Sequence, residues 1–118
     1  MIDRRIYRFD RFELDTARRI VSSGDQVAYL TPKLFNLLIL LLTSGGRIVT
    51  KEEILNTVWR DTAVEEGSIS RAMSTLRRML GENNRTEGLI LTVAKLGYRF
   101  LPAVEIIATE RPEAHPTR

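Results

Sequence analysis

The sequence predicts a small α+β domain, in which a short N-terminal antiparallel sheet is followed by three helices and a C-terminal β-hairpin. Three observations carry this prediction: strand-forming residues gathered near the N-terminus, two clear helix-start signals, and an amphipathic segment at residues 66–80. The chain of 118 residues is long enough for one domain with one core. We place this domain at residues 1–104 and interpret residues 105–118 as a polar tail or linker.

Strand-forming residues dominate the first thirty positions. Residues 6–14 are rich in aromatic side chains, and Ile20 and Val21 continue the pattern. The cluster Ser-Ser-Gly-Asp at 22–25 indicates a turn before another short strand at 26–30. The pattern therefore predicts an antiparallel sheet of three or four strands.

The first helix is predicted from Thr31-Pro32 to about Thr43. Thr is a favoured N-cap residue, and Pro fits the first helical position, where its missing N–H costs nothing. Apolar residues lie on almost every side of this segment, which ends at Ser44-Gly45-Gly46. A helix with this pattern is buried, and we expect it to form the centre of the core.

The second helix starts with a capping box, Thr50-Lys51-Glu52-Glu53. In this motif the Thr50 hydroxyl accepts from the amide of Glu53, and the Glu53 side chain reaches back. The helix ends near Trp59-Arg60, and we expect Trp59 to anchor the core rather than to bind a ligand. The loop at 61–65 leads into the third helix, giving helix-turn-helix order with a long connection.

The third helix is predicted at residues 66–80 and separates its apolar and basic residues. Positions spaced by three and four form an apolar face, comprising Ile69, Ala72, Met73, Leu76 and Leu80. Arg71, Ser74 and Arg78 lie opposite, with Ser70, Thr75 and Arg77 on the flanks. We therefore expect the three arginines to point away from the interior while the apolar face is buried.

A C-terminal hairpin is predicted from strands at 89–93 and 98–101. The turn between them places Lys95 near its tip and Arg99 on its returning strand. A basic hairpin beside a basic helix favours a second contact with a minor groove or with phosphates.

Positive charge is concentrated in this second half of the chain. The formal net charge is +3, but residues 67–99 hold six basic and two acidic residues, so the remainder sums to −1. From the helix alone, a solvated basic face is the simpler interpretation. Together with the hairpin, the local +4 favours a polyanionic partner.

Several classes of protein lack support in the sequence. It contains no cysteine, which excludes disulfides, thiol nucleophiles and cysteine-based zinc sites, and its one histidine, His115, lies in the polar tail. The apolar run at 37–42 is too short to span a membrane, which takes about 20 residues. The start of the chain lacks the pattern of a signal peptide. We expect a cytoplasmic, non-enzymatic protein that uses no cofactor, metal or small-molecule substrate.

The motifs in this order resemble those of OmpR-type winged-helix DNA-binding domains, over roughly residues 6–102. The matching segments are Leu30-Thr31-Pro32-Lys33, Gly46-Arg47-Ile48-Val49-Thr50, Val58-Trp59, Ser68-Ile69-Ser70, Leu76-Arg77-Arg78-Met79-Leu80-Gly81 and Gly97-Tyr98-Arg99-Phe100. Each motif is loose alone, whereas the whole series is specific. Ala94 stands where many members have a wing arginine, and Lys95 is next to it.

The resemblance implies double-stranded DNA as the partner, with the third helix in the major groove and the hairpin, or wing, on the minor groove or backbone. Carried over by position, the DNA-binding candidates are Ser70, Arg71, Ser74, Thr75, Arg77, Arg78, Thr92, Lys95 and Arg99. It also implies contact with RNA polymerase through the loop at 60–65 and head-to-tail dimers on DNA. Many members belong to two-component systems, but this chain contains no receiver domain. We therefore expect either an excised domain or part of a regulator that joins this module to a membrane segment or another sensor.

One alternative stays open: a winged-helix module whose basic face binds an acidic protein. A salt titration with duplex DNA separates the two, because phosphate contacts release counterions. An enzyme has less support, since the sequence offers no phosphate-binding glycine loop, usable histidine or metal-ligand cluster.

Overall fold

The computed structural model describes residues 4–60, 67–81 and 88–110 of the chain. In chain order, the elements are β1 (Arg4–Phe9), β2 (Phe12–Asp15), β3 (Ile20–Ser23), β4 (Gln26–Tyr29), α1 (Pro32–Leu42), β5 (Val49–Thr50), α2 (Lys51–Val58), α3 (Ser68–Met79), β6 (Ile90–Val93), β7 (Gly97–Phe100) and β8 (Val104–Glu110). The chain divides into two compact units, residues 1–30 with 103–118 and residues 31–102. The predicted fold class is confirmed: a winged helix-turn-helix with an N-terminal antiparallel sheet, three helices and a C-terminal hairpin.

The first unit contains a five-stranded antiparallel sheet in the order β4-β3-β2-β1-β8. Cross-strand pairing places Tyr7 opposite Leu14 and Leu14 opposite Val21, and all three side chains are buried. Their neighbours Arg8 and Glu13 form an exposed ion pair at 3.4 Å. This alternation is the pattern of a sheet with one apolar and one polar face.

Strand β8 corrects the predicted tail. Residues 105–110 do not form a tail or linker but most of β8, which pairs with β1. The physical reason is the free edge that β1 offers, since an edge strand exposes backbone N–H and C=O groups. The β-branched residues Val104, Ile106 and Ile107 suit such a strand. The rest of the predicted tail, 111–118, lies outside the described residues.

In the second unit, α1 begins as the sequence predicts. The Thr31 hydroxyl accepts a hydrogen bond from the amide of Leu34 at 3.3 Å, and Pro32 occupies the first turn. The helix packs against α2, α3 and β7. Five of its leucines are buried: Leu34, Leu37, Leu38, Leu41 and Leu42. The expected central position of this helix is thus observed within the unit.

Helix α2 keeps one half of its predicted capping box. The Thr50 hydroxyl accepts from the amide of Glu53 at 3.0 Å. The Glu53 carboxylate, predicted to reach back, instead accepts two hydrogen bonds from the Arg47 guanidinium, at 2.9 and 2.7 Å. These bonds hold the pKa of Glu53 below its usual value.

The end of α2 corrects the interpretation of Trp59 as a core anchor. Its side chain is only half-buried, and the Lys33 ammonium lies 5.7 Å from its ring centroid. The same ammonium donates to the carbonyl oxygen of Val58 at 3.5 Å. The tryptophan therefore carries a cation–π contact that links α1 with the end of α2.

A second sheet, ordered β5-β7-β6, contains the hairpin. Its turn, residues 94–96, places Lys95 in the left-handed region with φ 69°. Gly97, which follows, leaves no room for a side chain, because a Cβ there would meet the carbonyl oxygen of Val49. The close pairing of β5 with β7 depends on this glycine and fixes the hairpin to the start of α2.

Candidate nucleic-acid interface

Helix α3 buries one side and exposes the other, as its periodicity predicts. Ile69, Met73 and Leu76 are buried in the second unit. On the opposite side Ser70, Arg71, Ser74 and Arg78 are exposed, and Thr75 is half-buried on the flank. The exposed face is therefore polar and basic along the whole described helix.

The two exposed arginines lie along the helix surface. Arg71 Nη2 donates to Ser68 Oγ at 3.5 Å, and Arg78 Nη2 donates to Thr75 Oγ1 at 3.4 Å. Both distances are at the long limit for a hydrogen bond and join residues three positions apart. These contacts leave long, charged side chains at the surface, where an anion could be bound.

Arg77 departs from the predicted orientation. Its side chain is half-buried, and its guanidinium is turned toward the hairpin instead of projecting outward with Arg71 and Arg78. Nη2 donates to the carbonyl oxygen of Ile90 at 2.9 Å and to Thr92 Oγ1 at 2.7 Å. Adjacent residues of a helix diverge by about 100°, which separates Arg77 from Arg78.

The hairpin brings the other three predicted residues to the surface. Thr92, Lys95 and Arg99 are all exposed. Arg99 Nε donates to the carbonyl oxygen of Gly46 at 2.8 Å, which ties β7 to the loop before α2. The nine candidate residues thus lie in the same unit, on α3 and on the β6–β7 hairpin.

Charge in these two elements has one sign. Neither residues 67–81 nor residues 88–101 include an Asp or Glu, whereas they include Arg71, Arg77, Arg78, Lys95 and Arg99. A surface of this kind attracts polyanions over a distance of roughly a Debye length, about 8 Å at physiological salt.

Sequence reasoning missed two features of this region. It did not anticipate the contact of Arg77 with β6, because the two acceptors lie 13 and 15 residues further along the chain. It also left out Lys51, an exposed basic residue whose amide donates to the carbonyl oxygen of Leu96 at 3.3 Å. Its position directly after the N-cap Thr50 was visible, but its proximity to the hairpin turn depends on the pairing of β5 with β7.

A helix-turn-helix followed by a β-hairpin, with a basic helix face beside the hairpin, defines the winged helix-turn-helix class of domain. The chain belongs to the family described as "Transcriptional regulatory protein, C terminal", which matches residues 25–100. This is the OmpR-type family that the sequence motifs predict.

Individual relatives agree with this assignment. The KDP operon transcriptional regulatory protein KdpE of Escherichia coli is 33% identical over 97 residues, which cover 81% of this chain and 43% of that protein. The DNA-binding domain of Klebsiella pneumoniae RstA, solved in complex with the RstA box, has a TM-score of 0.69 and 30% identity. That match covers 80% of this chain and 95% of the RstA chain.

A third relative shows the fold alone, because its identity is low. The DNA-binding domain of Escherichia coli CadC has a TM-score of 0.78 at 23% identity, covering 89% of this chain and 99% of that chain. This chain spans less than half the length of the first curated relatives that it matches. Within the described ranges, every helix is too short or too polar to cross a membrane.

Proposed function

We propose that this chain binds double-stranded DNA sequence-specifically as the DNA-binding part of a transcription regulator. Helix α3 enters the major groove, and the β6–β7 hairpin contacts the adjacent minor groove or backbone. The observation that carries the proposal is the exposed face of α3, where Arg71 and Arg78 flank Ser74 and acidic residues are absent. The major groove admits an α-helix and presents a distinct pattern of donors and acceptors for each base pair.

The candidate residues divide into two roles. In the first role, Arg71 and Arg78 each donate two hydrogen bonds to the O6 and N7 atoms of a guanine or to a phosphate. Ser74 lies between them. Ser70 and Thr75 on the flanks, with Lys95 and Arg99 on the hairpin, contact the backbone and position the helix. Thr92 lies at the root of the hairpin, on the strand that faces Arg77.

Further features of the proposal follow from the family. The chain acts in the cytoplasm and carries out no catalysis. Its dimers on DNA are arranged head to tail, and the loop at 60–65 faces RNA polymerase. Of that loop, residues 61–65 lie outside the described residues. KdpE is named as a transcriptional regulatory protein, and the RstA domain was solved with DNA, which supports the proposal by similarity.

The salt dependence of DNA binding tests the proposal. Duplexes enriched from a random pool by this chain serve as the probe, and affinity is measured by fluorescence anisotropy at several salt concentrations. We expect the logarithm of the affinity to fall with the logarithm of salt, with a slope of about −0.9 for each neutralised phosphate. Failure to enrich any sequence, or a flat salt profile on the enriched duplex, would instead favour an acidic protein as the partner.

Single arginine substitutions test whether Arg71 and Arg78 each contact DNA. We expect Arg71→Ala and Arg78→Ala each to reduce discrimination between the enriched duplex and a scrambled one, by about 1–3 kcal/mol where the arginine reads a guanine. Both side chains are exposed, so the melting temperature should match that of the wild type. Unchanged affinity for the enriched duplex would remove that arginine from the interface.

A further inference from the structure

We infer that Arg77 is a positioning residue, which fixes the β6–β7 hairpin against α3 so that both elements meet one DNA duplex together. The inference rests on the proposed function for its effect on DNA, and on the geometry of Arg77 for its effect on the hairpin. It assigns to this arginine a role distinct from that of Arg78, although the two are adjacent in the same helix.

The contact joins one nitrogen to two acceptors on the same strand. Arg77 Nη2 lies 2.9 Å from the oxygen of Ile90 and 2.7 Å from Oγ1 of Thr92. A terminal guanidinium nitrogen carries two hydrogens in a fixed plane, so each hydrogen serves one acceptor. Because the donor is charged, these bonds are stronger than bonds between neutral groups. The guanidinium therefore fixes both the distance and the angle of β6 relative to α3.

Strand β6 can offer backbone acceptors to Arg77 because it lies at the edge of its sheet. The order β5-β7-β6 leaves one side of β6 without a neighbouring strand in the described residues. The carbonyl oxygen of Leu89 accepts from the amide of Leu101 on the β7 side. Carbonyl groups alternate along a strand, so that of Ile90 points to the free edge, where Arg77 binds it. The Arg77 guanidinium thus supplies the hydrogen bond that a neighbouring strand would otherwise donate to the Ile90 carbonyl oxygen.

The bond to Thr92 also orients a hydroxyl. A threonine hydroxyl has one hydrogen to donate and two lone pairs to accept with. Since Oγ1 of Thr92 accepts from Arg77, its own hydrogen is left to point elsewhere, and Thr92 is exposed. The Thr92 hydroxyl can therefore donate to a phosphate of the DNA backbone, and the nearby positive charge of Arg77 favours that contact. Arg77 then acts on DNA through Thr92 and through the placement of Lys95.

Amide hydrogen exchange of the free protein tests the anchoring role without DNA. We expect Arg77→Gln to speed exchange of the β6 and β7 amides by about tenfold or more, since a charge-assisted bond is lost. Thr92→Val should act in the same direction, whereas Thr92→Ser keeps the acceptor and should resemble the wild type. Arg78→Gln is the matched control, because Arg78 contacts Thr75 within the helix. Equal exchange rates in Arg77→Gln and Arg78→Gln would overturn the anchoring role.

A double-mutant cycle tests the consequence for DNA. In the wild type, Lys95→Ala should reduce the salt slope by about 0.9, the contribution of one phosphate contact. In the Arg77→Gln background the same change should reduce it much less, because the hairpin is no longer held in place. Additive effects would instead make Arg77 a direct DNA contact and overturn the inference. If the wild type binds no duplex, the proposed function fails, and the exchange rates alone decide the anchoring.

Discussion

Helices α1 and α3 have almost the same length, 11 and 12 residues, but opposite relations to solvent. Helix α1 buries five leucines and starts at the capping residue Thr31. Helix α3 buries three residues and starts after Gly67, which has no side chain to cap it. The difference shows that a helix with apolar residues on all sides is buried in the core. A helix with a narrow apolar stripe keeps its opposite face exposed, where it can contact a partner.

The largest effect should come from placing a charge on the buried side of α3. Met73 is 1% exposed, so Met73→Asp would bury a carboxylate among apolar side chains. That cost exceeds the roughly 5–15 kcal/mol that holds a domain folded, unless the group stays protonated. We therefore expect an unfolded chain at neutral pH by circular dichroism.

The neighbouring residue provides the matched control for this change. Ser74 is exposed on the opposite face, so Ser74→Asp should leave the melting temperature close to that of the wild type. It should nevertheless weaken DNA binding, because it places a negative charge where phosphates are expected to approach. A cooperative melt of Met73→Asp at the wild-type temperature would contradict the assignment of the two faces.

Truncation in α1 should have the next largest effect. Leu38 is fully buried, and Leu38→Ala should lower the free energy of unfolding by about 2–5 kcal/mol, through lost burial and the cavity left behind. Urea denaturation measures the change. Leu96 on the hairpin turn is 54% exposed, so Leu96→Ala should alter stability by less than about 0.5 kcal/mol. Similar losses for both leucines would mean that α1 is not the scaffold helix.

The contrast between the two helices was visible in the sequence, because the apolar pattern of each helix depends on local spacing and the start of α1 depends on a local cap. The predicted start at Thr31-Pro32 and the predicted apolar face of α3 match the structure. Strand β8 was missed because its partner β1 lies almost a full chain length away, and no local pattern encodes that pairing. The three β-branched residues Val104, Ile106 and Ile107 were the one available signal.

The predictability of the site differs from residue to residue for a similar reason. The exposure of Arg71 and Arg78 follows from helical spacing alone. The orientation of Arg77 depends on acceptors in β6, and that of Arg99 on the Gly46 carbonyl 53 positions away. The spacing of residues predicts on which side of a helix a side chain lies. Only the tertiary fold determines which groups that side chain contacts.

Removal of the α1 cap should have a smaller effect than truncation of its core. Thr31→Ala should cost about 1 kcal/mol of unfolding free energy, since the amide of Leu34 loses the hydroxyl that it donates to. Thr57 is exposed within α2, so Thr57→Ala is the same chemical change without a cap, and we expect a change within about 0.5 kcal/mol. Equal losses at Thr31 and Thr57, measured by urea denaturation, would show that the cap contributes nothing specific.

The smallest effect on stability should come from breaking the exposed ion pair between Arg47 and Glu53. Arg47 is bound to Glu53, and this bonding lowers the pKa of the Glu53 carboxyl group. Because the ionised form is favoured in the folded chain, the stabilisation is present above the ordinary pKa of glutamate and is lost as pH falls through the lowered value. Glu53→Gln should therefore lower the free energy of unfolding at neutral pH, and the difference should shrink as pH falls below the ordinary pKa of glutamate, about 4.3. Glu52→Gln, in the same first turn and exposed, controls for the helix dipole. A pH-independent difference, or an equal one for Glu52→Gln, would show that the Arg47–Glu53 pair does not stabilise the fold.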